Sequence, residues 1–204
     1  MDEPFDEMTL SFLFNKGMLH MDDISMTRGE SMGFQANGIL PLGKNRVGKT
    51  PISLRSTFSN LSLQFIHKFI PKFFTLGGEL SGSFHLKGIP ANTQFTYDFD
   101  VQNGLFDSIE LGHVIGNGSY DGRRLFVKKV EATHPDGIIT AQGSVPFDFN
   151  INSPSIGRFF PGDSLDFHAL AQMGSLPFLT PYIEDLDSVR GDMDISLSLT
   201  GPVE

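Results

Sequence analysis

The segment Gly43-Lys44-Asn45-Arg46-Val47-Gly48-Lys49-Thr50 fits G-x-x-x-x-G-K-[ST]. In that pattern backbone amides, the lysine and the hydroxyl cradle nucleotide phosphates and magnesium. A strand-like Ile39-Leu40-Pro41-Leu42 precedes it. Such phosphate binding needs a helix starting at the Lys-Thr pair, so that amides and dipole face the anion. Pro51 disfavours α geometry at Thr50, and Ile52, Leu54, Ser56 and Phe58 then alternate as in a strand. No β-α-β alternation surrounds the segment, and no aspartate is placed to hold magnesium after a second parallel strand. Gly43–Thr50 is therefore read as a fortuitous match, with no nucleotide site.

Other reactive side chains form no constellation either. The six histidines (His20, His67, His85, His113, His134 and His168) lack ligand spacing on a helix or strand. Ser, His and Asp occur without a G-x-S-x-G elbow. Asp22-Asp23 and Glu184-Asp185 read as turn or helix-surface groups, not as a general acid and base. Asn60-Leu61-Ser62 and Asn117-Gly118-Ser119 are glycosylation sequons, triplets that chance supplies often. The absence of cysteine excludes disulfides, thiolate zinc sites and Cys nucleophiles. The chain is expected to be non-enzymatic, with no catalytic residue, metal or cofactor.

Composition narrows the field further. A net charge of −9 argues against nucleic acid, because a phosphate backbone needs a basic face. The basic pairs Arg123-Arg124 and Lys128-Lys129 read as solvated strand faces. Twenty Phe against three Tyr and no Trp is the anomaly. Phe has no polar handle, so such a surplus is either dry core or the lining for something apolar. No run approaches the roughly 18 apolar residues of a membrane span. Met1-Asp2-Glu3-Pro4 carries no basic-then-apolar export signal.

The elements that position these residues recur along the chain. Residues 52–91 lie on 165–204 at a shift of 113 without a gap. Ser62/Ser175, Leu63/Leu176, Phe65/Phe178, Ile70/Ile183, Gly78/Gly191, Ser83/Ser196, Leu86/Leu199 and Gly88/Gly201 coincide. Upstream, Ala36, Gly38 and Pro41 match Ala141, Gly143 and Pro146 at a shift of 105. The loop between these blocks is thus eight residues longer in the second copy and carries no Gly-Lys pair, as a solvent loop can. Self-similarity of this kind marks an array whose units share a core. The expected division is one domain, 1–204, with repeat one at about 5–92 and repeat two at about 95–204.

Period-two alternation dominates both copies. Phe95, Tyr97, Phe99 and Val101 form one series; Ile139, Ala141, Gly143, Val145, Phe147, Phe149 and Ile151 form another; Leu80, Gly82, Phe84 and Leu86 a third. Asn103-Gly104, Asn117-Gly118, Asp121-Gly122 and Asp136-Gly137 read as turns. The last two flank the Leu125/Val127/Val130 strand and predict a three-stranded meander. Two stretches at helical spacing interrupt the pattern: 61–74 with Asn60 as a cap, and 175–187 with Ser175 as a cap and Pro177 in the first turn. Pro71 and Pro181 shorten or distort them. The fold class is mainly antiparallel β, a curved sheet with one short amphipathic helix per repeat. After Gly88 the chain continues into a strand, whereas after Gly201 it stops at Glu204. A soluble piece of a longer array with open sheet edges is expected.

The recurrent unit resembles the AsmA-like superfamily, most closely the C-terminal part of TamB-type proteins. The resemblance rests on Leu80 to Gly88 and its copy Met193 to Gly201, with the preceding Phe65-to-Gly78 segment. Gly118-Ser119-Tyr120-Asp121-Gly122 through Leu125, Val127 and Val130, and Ala141-Gln142-Gly143-Ser144-Val145-Pro146-Phe147, complete it. It implies a long U-shaped β-taco with an apolar groove, in the periplasm of a bacterium with two membranes. The parent would be anchored at the inner membrane by a helix absent here. Such proteins are implicated in carrying phospholipid toward the outer membrane and, with an Omp85-type barrel, in assembling outer-membrane proteins. The family offers no catalytic residue to transfer.

The expected groove lining is Phe84, Leu86, Phe95, Tyr97, Phe99, Leu125, Val127, Ile139, Val145 and Phe147, continued by Leu197 and Leu199. The ligand expected is a phospholipid or acyl chain. The alternative is a scaffold whose open edges take up client β-strands or an Omp85-type partner by augmentation, the apolar face being dry core.

Overall fold

A computed structural model of the chain describes residues 6–29, 31–42, 50–66, 76–89, 92–107, 109–149, 159–160, 162–175 and 190–202. Eleven strands run through them: β1 (Glu7–Asn15), β2 (Met18–Arg28), β3 (Met32–Pro41), β4 (Ile52–Ser62), β5 (Leu76–Ile89), β6 (Asn92–Phe106), β7 (Ile109–Tyr120), β8 (Arg124–His134), β9 (Gly137–Pro146), β10 (Ser164–Ser175) and β11 (Arg190–Pro202). Each pairs antiparallel with its sequence neighbours, in the spatial order β1 to β11. The result is one curved, unclosed sheet, with β1 and β11 as its edges. The mainly antiparallel β class expected from the sequence is the one observed. A single helical turn, α1 (Leu63–Ile66), follows β4. Residues 61 and 62 belong to β4, and Asn60 is a strand residue at φ 49°, not a helix cap. The rest of the 61–74 stretch, and all of 176–187, lie outside the described residues.

Alternation fixes which side chains share a face, because paired residues in a ladder point the same way. Leu80, Phe84 and Leu86 on β5 stand opposite Val101, Tyr97 and Phe95 on β6. Those pair in turn with Val114, Gly118 and Tyr120 on β7, then with Ala132, Val127 and Leu125 on β8. The same face continues through Ile139 and Val145 on β9, Phe167 and Ala169 on β10, and Leu199 and Leu197 on β11. In the other direction it runs through Leu54 and Phe58 on β4 and Phe34 on β3. It ends at Met26 and Ile24 on β2 and at Met8, Leu10, Phe12 and Phe14 on β1. One apolar face therefore crosses all eleven strands. The reverse face carries Ser83, Asp98, Asn117 and Lys129 in the middle of the sheet, the one-sided patterning that antiparallel sheets permit.

The ladder registers coincide at the shifts found in the sequence. Ile52 pairs with Gly88 and Leu165 with Gly201; Leu54 with Leu86 and Phe167 with Leu199. Gly38 pairs with Leu54 and Gly143 with Phe167. A third block, invisible to residue identity, follows at a shift of 106. Phe12 pairs with Met21 as Gly118 does with Val127, and Leu10 with Ile24 as Gly116 does with Val130. Even the bulges agree: Asp22-Asp23 interrupts β2 where Lys128-Lys129 interrupts β8. Backbone conformation follows suit, with φ +108° at Gly88 and +127° at Gly201, values that favour glycine. Thus the ladder registers of β1–β5 match those of β7–β11, and β6 stands between the two sets.

Two expected turns are corrected. Asn103-Gly104 lies within β6 at a bulge, where Asn103 has φ 54°. Asn117-Gly118 lies within β7. Asp121-Gly122 does turn the chain, and the turn expected at Asp136-Gly137 falls one residue earlier, on Pro135-Asp136, with Gly137 opening β9; together they give the β7–β8–β9 meander. A further hairpin turn, Lys16-Gly17 with φ 47° and 75°, joins β1 to β2 in the doubly positive conformation that matches strand twist.

Candidate functional site

Eleven of the twelve residues expected to line a groove fall on this apolar face by register; the twelfth, Phe147, follows the end of β9 directly. Phe95 is buried, Leu197 and Leu199 are exposed at 48% and 43%, and the others are half-buried. The face is therefore unevenly covered. At one end Val101, Val114 and Ala132 form a buried cluster, against which Leu63, Leu80, Phe99 and Ile139 pack. The covering side chain there is Leu63, just after β4.

At the other end aromatic rings close over the sheet. Phe84 and Phe95 lie 5.1 Å apart, as do Phe95 and Tyr120, whose rings are stacked. The chain leaving β9 then doubles back across the face. Phe149 sits edge-on to Phe95 at 5.1 Å and to Tyr120 at 5.0 Å, and Phe147 joins it at 4.6 Å. Phe159 extends the run, 5.9 Å from Phe147. The amide of Phe149 donates to the Tyr120 hydroxyl at 3.1 Å, fixing the returning segment over β7. Burial pushes the Tyr120 phenol above its ordinary value, and that of Tyr97 likewise.

Glycines under these rings explain the close fit. Phe99 lies over Gly116 and Tyr97 over Gly118, so that a Cβ at either position would meet the ring. The Tyr97 hydroxyl crosses to β8 and donates to the Phe126 carbonyl at 3.4 Å. Glycine in β7 is thus a seat for aromatic side chains of β6, a close approach of the kind that glycine in a strand permits.

The apolar face is widest open at the sheet edges. On β1, Met8, Leu10, Phe12 and Phe14 are all more than half exposed. On β11, Ile195, Leu197 and Leu199 are exposed too. Sequence reading placed β11 on the stripe but missed β1 and β2. The available signal was Met8, Leu10, Phe12 and Phe14 alternating with Thr9 and Ser11, an alternation masked by Leu13.

Several charged groups make their contacts away from this face. Arg123 grips Asp163 with both Nε and Nη2 at 2.7 Å and lies 5.0 Å from the Phe160 ring. Arg124 reaches Ser144 at 2.8 Å and the Ser164 carbonyl. This basic pair, read from sequence as solvated strand residues, ties the β7–β8 turn to the chain entering β10. The Arg123 guanidinium holds the Asp163 carboxyl below the usual carboxylate range. His113 does the same for Asp100 across 3.0 Å, chiefly by hydrogen bonding. His168 sits 2.9 Å from Asp166. Among the described residues no group of three or more His, Asp or Glu is placed to hold a metal.

Gly43–Lys49 lies outside the described residues. From Ile52 the chain runs as β4, antiparallel to β3, where a phosphate cradle would require a helix. No family model, no curated protein and no solved structure matches this chain.

Proposed function

We propose that the apolar face is a groove for hydrocarbon, and that the chain is a non-catalytic segment of a conduit carrying phospholipid between inner and outer membranes. In this reading the curved sheet is a U-shaped trough of the β-taco type. Its two repeats are the sets β1–β5 and β7–β11, each with a short amphipathic helix as the sequence suggests. The observation that carries the reading is the apolar stripe that passes unbroken from Met8 and Phe12 on β1 to Leu197 and Leu199 on β11. Among the described residues no second sheet lies over it. Monomeric proteins rarely leave apolar surface so continuous without an occupant.

An acyl chain laid along the stripe gains about 0.8 kcal/mol for each buried CH₂. A handful of methylenes then outweighs a good part of the ordering cost of binding. The periplasmic setting and the inner-membrane anchor of a parent protein are drawn from the resemblance to TamB-type proteins. Mass spectrometry of gently purified protein tests the reading: co-purifying phospholipid is expected, and protein repeatedly free of lipid counts against it.

A second reading is favoured by the edges. Because among the described residues β1 and β11 each pair on one side only, their outer backbone groups can accept a strand. The chain would then serve as a scaffold for client strands or an Omp85-type partner. Proline confined to reverse-face β11 positions whose N–H points away from β10 separates the two, since it blocks strand addition while the β10–β11 ladder, Leu197, Leu199 and the lipid content stay unchanged.

A further inference from the structure

The two free edges are copies of edges that are occupied elsewhere in the sheet. β11 corresponds in register to β5, and β1 to β7. Both β5 and β7 are covered by the same strand, β6, which lies between them. Among the described residues no other strand has that relationship to its neighbours.

We infer that the β11 edge is a receptor site for one antiparallel strand of β6 character. This inference rests on the strand-capture reading and narrows it to one edge, one register and one pattern of side chains. Leu199, Leu197 and Ile195 stand where Leu86, Phe84 and Gly82 stand on β5. Those face Phe95, Tyr97 and Phe99 of β6. The incoming strand must therefore present large apolar or aromatic groups at alternate positions on the groove side, which prolongs the apolar stripe past β11. On the reverse face Ser83 donates to the Asp98 carboxylate of β6. Ser196 is the same residue in the same register, so an acidic side chain opposite it would find a hydroxyl donor. Asp194 takes the place of Ser81, which faces Asp100. A carboxylate directly opposite Asp194 would be repelled. The strand recognised is thus apolar on one side, acidic opposite Ser196, and neutral or basic opposite Asp194.

The edge of β1 discriminates differently. Where β7 has Gly116 and Gly118 beneath the rings of Phe99 and Tyr97, β1 has Leu10 and Phe12. Large groups at those points would collide with the bulk already there, so the same strand is a poorer fit on that side.

Because the chain has no cysteine, register can be read by disulfide trapping. The full chain carrying Leu197→Cys is oxidised with a peptide of β6's sequence, Asn92–Phe106, bearing Asp100→Lys. Peptides with Tyr97→Cys, Thr96→Cys or Asp98→Cys are compared. Directly opposed residues in an antiparallel pair meet the distance that a disulfide needs, whereas adjacent ones face away. The Tyr97→Cys peptide is expected to give about tenfold more cross-linked product than the other two. Restoring Asp100 in the peptide is expected to reduce that yield. Equal yields at all three positions would keep edge capture and overturn the β6-type register. No cross-link with any peptide would overturn both.

Discussion

Phe99 on β6 reaches over Gly116, its partner on β7, and the far end of its ring fills the space where a side chain at 116 would stand. That relationship makes the middle of the apolar face depend on one missing methyl group. Gly116→Val is expected to cost about 1–3 kcal/mol, the usual penalty for overpacking. Urea denaturation measures it. Phe99→Leu in the same chain should return part of the loss, because the collision is with the ring. An unchanged midpoint in the single variant would show that the ring has room to move aside.

The aromatic closure at the Tyr120 end is held by a hydrogen bond as well as by ring contacts. Tyr120→Phe removes the acceptor for the Phe149 amide and should destabilise by about 1 kcal/mol. Phe149→Ala strips the cover from Phe95 and Tyr120 and should cost about 2 kcal/mol, less than the 3–5 kcal/mol of a fully buried ring. Ultraviolet titration offers an independent check, since Tyr97 and Tyr120 should ionise above 10.0, and Phe149→Ala should lower the Tyr120 value toward it.

Acid stability follows from Asp100 and Asp163. Both carboxyls lie below their ordinary value of 3.8 in the folded chain, Asp100 through its bond from His113 and Asp163 through Arg123. A depressed folded value means that the unfolded chain binds the proton first as pH falls. Their stabilisation is complete above pH 3.8 and drains away below it. Asp163→Asn should flatten that acid limb of the stability curve while leaving its shape above pH 5 unaltered, as thermal melts across a pH series would record.

The fold was legible where one physical signal acted alone. Alternation around Phe95–Val101 and Ile139–Val145 marked strands and their inward side, because a ladder has period two. Local signals misled where tertiary packing used them otherwise. Asn117-Gly118 resembles a hairpin turn, yet Gly118 is the seat for Tyr97. Asn103-Gly104 is spent on a bulge. The correspondence of β1–β2 with β7–β8 was hidden because the ladder preserves register and bulge position, not residue type: Leu10 and Phe12 answer to Gly116 and Gly118. Arg123 stays exposed, as its type suggested; what could not be read was its pairing with Asp163 and the reach of Arg124 to the Ser164 carbonyl, because those partners lie about forty positions away in sequence.

The exposed end of the stripe gives the cleanest separation of groove from core. Leu197 and Leu199 are nearly half exposed, so Leu197→Asp with Leu199→Asp should leave the melting temperature within a few degrees, as surface changes of about 0.5 kcal/mol do. Phe99→Asp, by contrast, buries a charge against Val101 and Val114 and should unfold the domain.

The most direct measurement is native mass spectrometry of the gently purified wild-type chain beside the Leu197→Asp/Leu199→Asp double variant. Adducts with the mass of phospholipid are expected on the wild type, and their loss from a variant that stays folded. A wild-type chain that carries no lipid in repeated preparations, or a folded variant that carries as much, would contradict the groove reading.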